Sequence, residues 1–282
     1  MKLVASMWSL VSYAKAGRID APAFVRYAAE IGVDGVELLD VSWREAQREV
    51  PEIMAMLHES GLIVSAYAIG NDLVQPDAQE RARQVQRIRD GADMARQLGT
   101  PLLRVFSGSE KPSVSVDDGL RWIVEGLREG AAYAAERGIT LVLENHGLFA
   151  GRVDQVRQII EIVDSPALRA NLDTGNFLLV NQDPADAARD LAALTRYVHL
   201  KDFRPVGRDE HVEEAYTGLD GVRFVGTVIG VGEVNLRAVL RALQDAGYDG
   251  WLSIEYEGTG DAKHGLEQSV KASRALMREC GA

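Results

Sequence analysis

The chain has one cysteine in 282 residues, Cys280, beside the C-terminus. No intrachain disulfide can form, and no cysteine-based zinc site can be built. A reducing, cytoplasmic setting is the expectation. No apolar run approaches the roughly 18 residues that a membrane-spanning helix needs. Basic charge is also scarce: 31 Lys and Arg stand against 42 Asp and Glu, a formal net charge of −11. A protein that neutralises nucleic-acid phosphates usually carries a basic stripe, and none is present. No G-x-G-x-x-G follows the first apolar run, so a dinucleotide-binding open sheet loses its main signature.

What is present is a rhythm. Short apolar runs alternate with longer amphipathic stretches, and 46% of residues are hydrophobic, ample for a large core. Eight runs read as buried parallel strands: 3–7, 35–39, 63–67, 102–106, 140–144, 168–173, 197–201 and 251–256. Between them lie helical patterns, at 20–30, 42–59, 77–98, 116–137, 152–163, 183–194, 235–246 and 263–280. Asp20 caps the first, with Pro22 in its opening turn. Gly32, Gly61, Gly99, Gly138 and Gly247 stand where helices should stop. Eight strand–helix units in one chain of this length predict a single-domain (β/α)8 TIM barrel spanning 1–282.

The first 16 residues, MKLVASMWSLVSYAKA, could pass for a secretory signal. Removing them would leave seven strands, so they are assigned to the barrel. About 33 residues, 202–234, separate the seventh strand from the next helix. They include Phe203, Arg204, Arg208, His211, Tyr216 and Arg223, and are expected to serve as a lid or an oligomer contact.

In such a barrel the C-terminal strand ends build the active site. Strand two offers Glu37, strand four Arg104 and Ser107, strand five Glu144, Asn145 and His146. Strand six ends on Asp173, strand seven on His199, Lys201 and Asp202, and strand eight on Glu255 and Glu257. Residues two apart share a side of a strand, so Glu144 goes with His146, His199 with Lys201, and Glu255 with Glu257. Taken singly, each has an ordinary reading: Asp173 a turn residue, the glutamates ion-paired, His199 a core histidine, Lys201 paired with Asp202 or Glu233. Together, three carboxylates and one imidazole at the ends of four consecutive strands would repel unless a cation joined them. Oxygen-rich ligands with one nitrogen suit Mn²⁺, Mg²⁺ or Co²⁺, with Zn²⁺ also accommodated.

The motifs LENHG, LDTGN, VHLKD and SIEYEG, with GVELLD earlier, resemble those of the xylose-isomerase-like barrel superfamily of sugar isomerases and epimerases. The resemblance covers essentially the whole chain. It implies one divalent metal, commonly manganese, on Glu144, Asp173, His199 and Glu255, with the two glutamates also transferring protons. Many members carry a histidine three residues after the strand-six Asp; here Asn176 stands there. An amide can hydrogen-bond a hydroxyl but cannot titrate. Acid–base work therefore falls on Glu144 and Glu255, and Lys201 is expected to donate to a developing oxyanion. Glu37, Arg104, His146 and Asn176 are expected to hold a small-molecule carbohydrate substrate.

The leading expectation is an isomerase or epimerase that abstracts a proton next to a carbonyl. The near alternative is a dehydratase or lyase acting on an inosose or a 3-keto-glycoside through the same enolate. An abasic-site endonuclease would share the barrel. It needs several metals and a basic face, whereas only five histidines are present, with His58 and His264 on predicted helix or tail segments. A non-catalytic sugar-binding protein would not need an intact ligand ring. No membrane or nucleic-acid partner is expected. The family implies a homo-oligomer, on which the residues themselves are silent.

Overall fold

The computed structural model describes residues 1–282 apart from 208, 213 and 214, so Arg208 lies outside the described residues. Eight parallel strands close into a barrel: β1 (Lys2–Ser6), β2 (Gly35–Leu39), β3 (Ile63–Ala68), β4 (Leu102–Val105), β5 (Thr140–Glu144), β6 (Leu168–Asp173), β7 (Thr195–Leu200) and β11 (Trp251–Ile254). Around the barrel, β1 pairs with both β2 and β11, so the N-terminal segment closes the ring. This is the expected (β/α)8 architecture. Three strands, 35–39, 140–144 and 168–173, match the sequence reading residue for residue. The others differ by one to two residues at an end.

The helices are α1 (Val11–Lys15), α2 (Ala21–Ile31), α3 (Ala46–Ser60), α4 (Ala78–Gln97), α5 (Val116–Ala135), α6 (Val153–Val163), α7 (Asn176–Leu179), α8 (Pro184–Leu191), α9 (Leu236–Asp245) and α10 (Ala262–Cys280). Asp20 caps α2 by accepting from the Ala23 amide. Asp77, Ser115, Asp183, Asn235 and Asp261 do the same for α4, α5, α8, α9 and α10. Gly32 and Gly61 end α2 and α3 in the left-handed region, where a side chain would be strained. The predicted helix start at Ser42 is displaced. A short 3-10 turn takes Asp40–Ser42, and α3 begins only at Ala46.

The excursion after β7 is not a structureless loop. It folds into its own antiparallel sheet, β8 (Phe203–Pro205), β9 (Tyr216–Thr217) and β10 (Arg223–Gly226), in the order β8-β10-β9. Its base is tied by Asp202, whose carboxylate accepts the amides of Gly230, Gly232 and Val234 at 2.9, 3.0 and 3.1 Å. Asp202 therefore spends its charge on the backbone and not on Lys201. Phe203 is fully buried under the sheet and stacks near Tyr216, ring centres 5.2 Å apart.

The barrel interior changes character along its axis. Low down, Ala66, Leu102, Val142 and Tyr197 form an apolar cluster against Trp251. Two residues further along the same strands come Arg104, Glu144 and His199. Because side chains alternate, the strands that plug the floor also deliver polar groups to the mouth. Two register shifts help to aim them. One lies between Val36 and Glu37, the other between Ala170 and Asn171, each directly before a buried polar residue of the site.

Candidate metal centre and active site

Eight of the residues singled out in the sequence, Glu37, Arg104, Glu144, Asp173, Asn176, His199, Lys201 and Glu255, are at most 6% exposed. All eight lie near the C-terminal strand ends. His199 is the hub. Its Nδ1 is 3.2 Å from Glu255 Oε1, 3.4 Å from Glu144 Oε2 and 3.8 Å from Asp173 Oδ2. Its Nε2 is 3.0 Å from Glu37 Oε1. Glu37 Oε2 in turn accepts from the Ser253 hydroxyl at 3.0 Å. With a cation bound among the three carboxylates, a proton kept on Nε2 and given to Glu37 would leave the Nδ1 lone pair free to bind it.

Asp173 is fixed by its neighbours. Its amide donates to Asn145 Oδ1 at 2.6 Å, and its Oδ1 accepts the amides of Gly175 and Asn176 at 2.9 and 3.0 Å. Gly175 packs so closely on Lys201 that a Cβ there would meet Lys201 Cγ at 2.8 Å. Asp173 Oδ2 is buried with no well-formed hydrogen bond, although Lys201 Nζ lies 3.0 Å away. Lys201 also reaches Glu255 Oε2 at 2.8 Å and Glu257 Oε1 at 3.4 Å.

The donor atoms fit a divalent cation. Those of Glu144, Asp173 and His199 lie within 4.8 Å of one another, as do those of Glu37, His199 and Glu255. The four expected ligands thus fall into two overlapping groups that share His199. Hard carboxylate oxygens, one imidazole nitrogen and an unsatisfied Asp173 oxygen are a suitable set for such an ion.

Electrostatics separate the two flanking glutamates. Burial opposes ionisation of Glu144, but Arg104 and then His199 hold its carboxyl well below the usual range. Arg104 Nε is 3.3 Å from Glu144 Oε2. At Glu255 burial wins over His199 and Lys201, and the carboxyl is pushed up to about 7. Burial also raises Asp173. For His199 burial acts downward, yet Glu255, Glu37 and Glu144 carry it well above its usual value. Lys201 behaves alike: burial is outweighed by Asp173 and Glu255, and the ammonium is held.

The remaining expected residues are placed as follows. Arg104 lines the cavity, donates from Nη1 to the Ile69 carbonyl at 2.8 Å and stacks on Phe106. His146 lies beyond the end of β5, exposed, with its ring centre 4.8 Å from that of Phe106. Asn176 Nδ2 donates to the Asn145 carbonyl at 3.0 Å and to Glu144 Oε1 at 3.3 Å. Glu37 is fully buried beneath His199 with both oxygens engaged, and it does not line the cavity. The expectation that it holds a substrate hydroxyl does not fit that position.

Two residues of the site were not singled out from the sequence. Asn171 Nδ2 lies 3.4 Å from Glu144 Oε2 and 3.3 Å from His199 Nδ1. It stands two before Asp173, so strand alternation alone points to it. Trp8, just past the end of β1, lines the cavity and donates its indole N–H to Glu257. An aromatic at the C-terminal end of a barrel strand was the available signal.

A model of the xylose isomerase-like TIM barrel family matches residues 25–280. The chain belongs to that family. Among curated relatives, the inosose dehydratase of Geobacillus thermodenitrificans is 28% identical over 193 residues, which cover 68% of this chain and 63% of that protein. The chain therefore spans a little under two thirds of that relative's length. Among solved structures, a D-tagatose 3-epimerase-like protein superposes with a TM-score of 0.78 at 20% identity, covering 100% of this chain and 98% of that one. The IOLI protein, which binds a zinc atom, gives 0.81 at 13% identity, covering 99% of each. At such identities the two structures support the fold alone. Among the described residues, no helix is long and apolar enough to cross a membrane.

Proposed function

We propose that this protein is a metal-dependent lyase that removes water from a cyclic keto-polyol by abstracting a proton next to the carbonyl. The observation that carries the reading is the pair of buried carboxyls Glu144 and Glu255, which line one cavity with Arg104 beside the first and the Lys201 ammonium beside the second. Two carboxyls in unlike surroundings on one cavity can serve as base and acid. Glu144, Asp173, His199 and Glu255 would hold the divalent ion; Mn²⁺ is the first choice, and Mg²⁺, Co²⁺ or Zn²⁺ also suit the donors. Bound there, the ion polarises the substrate carbonyl as a Lewis acid.

The residues do the rest. Ionised Glu144 takes the proton from the carbon beside the carbonyl, and the C–H electron pair enters the enolate. Lys201, buried and charged, donates to the developing oxyanion. As the carbonyl re-forms, a double bond forms to the next carbon and the C–O bond there breaks. Glu255 gives its proton to the departing hydroxyl, which leaves as water. The proton on Glu144 then returns to solvent and Glu255 takes one up, which resets the pair. Arg104 holds Glu144 in place and ionised. His146 faces the substrate from the cavity wall, Asn176 donates to Glu144 Oε1, and Glu37 orients His199.

Isomerisation, which the motifs put first, uses the same pair: Glu255 would return its proton to the opposite face of the carbon. The epimerase-like structural neighbour keeps this as the second reading. The dehydratase relative, which matches in sequence over two thirds of the chain, moves the balance to elimination. Proton NMR in D₂O with Mn²⁺ and either an inosose or a 3-keto-glycoside separates them. An enone product supports the lyase. Deuterium incorporation with inverted configuration and no enone supports the epimerase and removes the lyase reading.

A further inference from the structure

The mouth of the barrel holds two adjoining cavities. The first, about 190 Å³, contains the chemistry: Arg104, Glu144 and Glu255 line it. The second, about 480 Å³, opens between the segment after β5, α7 and the antiparallel sheet and is mainly apolar, walled by Leu148, Leu179, Val180, Tyr216 and Leu219. Trp8, His146, Lys201 and Glu257 are walls of both. The first is smaller than the roughly 300 Å³ at which sites for drug-sized ligands begin, whereas the second lies within that range by itself.

We propose that the second cavity binds an apolar, ring-sized substituent carried by the substrate, so that the substrate is a keto-glycoside or similarly substituted keto-polyol and not a bare ring. This rests on the reading of the first cavity as the reacting site. Three of the wall residues, Leu148, Tyr216 and Leu219, are among the large apolar side chains that stay exposed, at 41, 41 and 57%. They come from two different segments and face one space. Their positions are built: the Leu219 amide donates to the Leu179 carbonyl at 2.9 Å, and Gly218 to the Val222 carbonyl at 2.8 Å. The sheet is thus fastened over α7 with its apolar side toward the cavity. A polar ring between Glu144 and Glu255 can extend in that direction past Trp8, His146, Lys201 and Glu257. That passage carries one indole, one imidazole and two charges, suited to a glycosidic oxygen with a hydrophobic group beyond it.

The test compares phenyl and methyl β-D-glucopyranoside as ligands of the full chain with Mn²⁺ present, by saturation-transfer NMR and titration calorimetry. Neither has a carbonyl, so binding is read without turnover. The phenyl glycoside is expected to bind about tenfold more tightly, with saturation transferred to the aryl protons. Tyr216→Ala and Leu219→Ser should each bring it close to the methyl value. Equal affinity of the two glycosides for the wild-type protein overturns the proposal, whatever the variants do. So does the outcome in which the preference is absent and Leu219→Ser lowers the mass measured by light scattering, because the apolar face is then a contact between copies. Should the lyase reading fail in its own NMR assay, the glycoside comparison still stands or falls separately.

Discussion

The floor and the mouth of this barrel are made by the same strands, two residues apart, and they spend their side chains in opposite ways. Leu102, Val142 and Tyr197 fill the floor, while Arg104, Glu144 and His199 follow them into the mouth. The floor is apolar and buried. Its one buried phenol, Tyr197, meets the Ser65 hydroxyl at 2.7 Å. The mouth crowds Glu37, Glu144, Asp173 and Glu255 around one histidine and one lysine, an arrangement that stabilises little and asks for a cation. The floor contributes to folding; the mouth is where folding free energy is given up for chemistry.

The sharpest break in this comparison is at the mouth. Glu144→Gln should lower turnover by about 10⁴-fold in a protein that still folds, with a lowered thermal transition because buried Arg104 loses its carboxylate partner. Steady-state kinetics with calorimetry checks both halves. A fall in activity matched by unfolding would mean that the mouth is structural. At the floor the pattern should invert. Tyr197→Ala is expected to cost about 3–5 kcal/mol of stability, read from urea unfolding. The fraction that stays folded should still bind metal.

Much of this contrast could be read in the sequence, and the reason is strand alternation. Once 140–144 is a strand with Glu144 at its end, Val142 must share its side. Of the three strands matched residue for residue, two end on Glu144 and Asp173, and the third carries Glu37 at its centre. The hub role of His199 and the position of Glu37 under it were not legible. They depend on a register shift before Glu37 and on a contact across the barrel between residues 162 positions apart. The antiparallel sheet in 203–226 escaped for another reason. Its strands are two to four residues long, too short to show a period. Lys201 was placed at the right level, but its partners come from the ends of two other strands, which spacing along the chain cannot reveal.

A smaller effect sharpens the mouth itself. Glu37→Gln keeps the shape and weakens the acceptor for His199 Nε2. Mn²⁺ affinity should fall about 10–100-fold, measured by calorimetry. Unchanged affinity would show that His199 needs no orienting partner.

The smallest expected effect is on protons. In the metal-free protein, Glu255 and His199 bind protons more tightly than in the unfolded chain. Groups raised in this way add stability that is complete below their unfolded values and fades as pH rises through the folded ones. For Glu255 that window runs from the ordinary glutamate range up to about 7. Metal-free stability should therefore decline with rising pH across it. Metal binding near pH 6 should release about one proton, that of His199, detectable as a dependence of calorimetric heat on the buffer's ionisation enthalpy. Heats independent of the buffer would mean that the site is already deprotonated.

The most direct test of the account is loss of the substrate's α-proton to D₂O, a step common to elimination and epimerisation. It is followed by NMR in metal-depleted and Mn²⁺-reloaded protein, with Glu144→Gln as the control. The account predicts proton loss in the reloaded wild-type protein, and none after EDTA treatment or in Glu144→Gln. Equal rates with and without metal, or in Glu144→Gln, would contradict it.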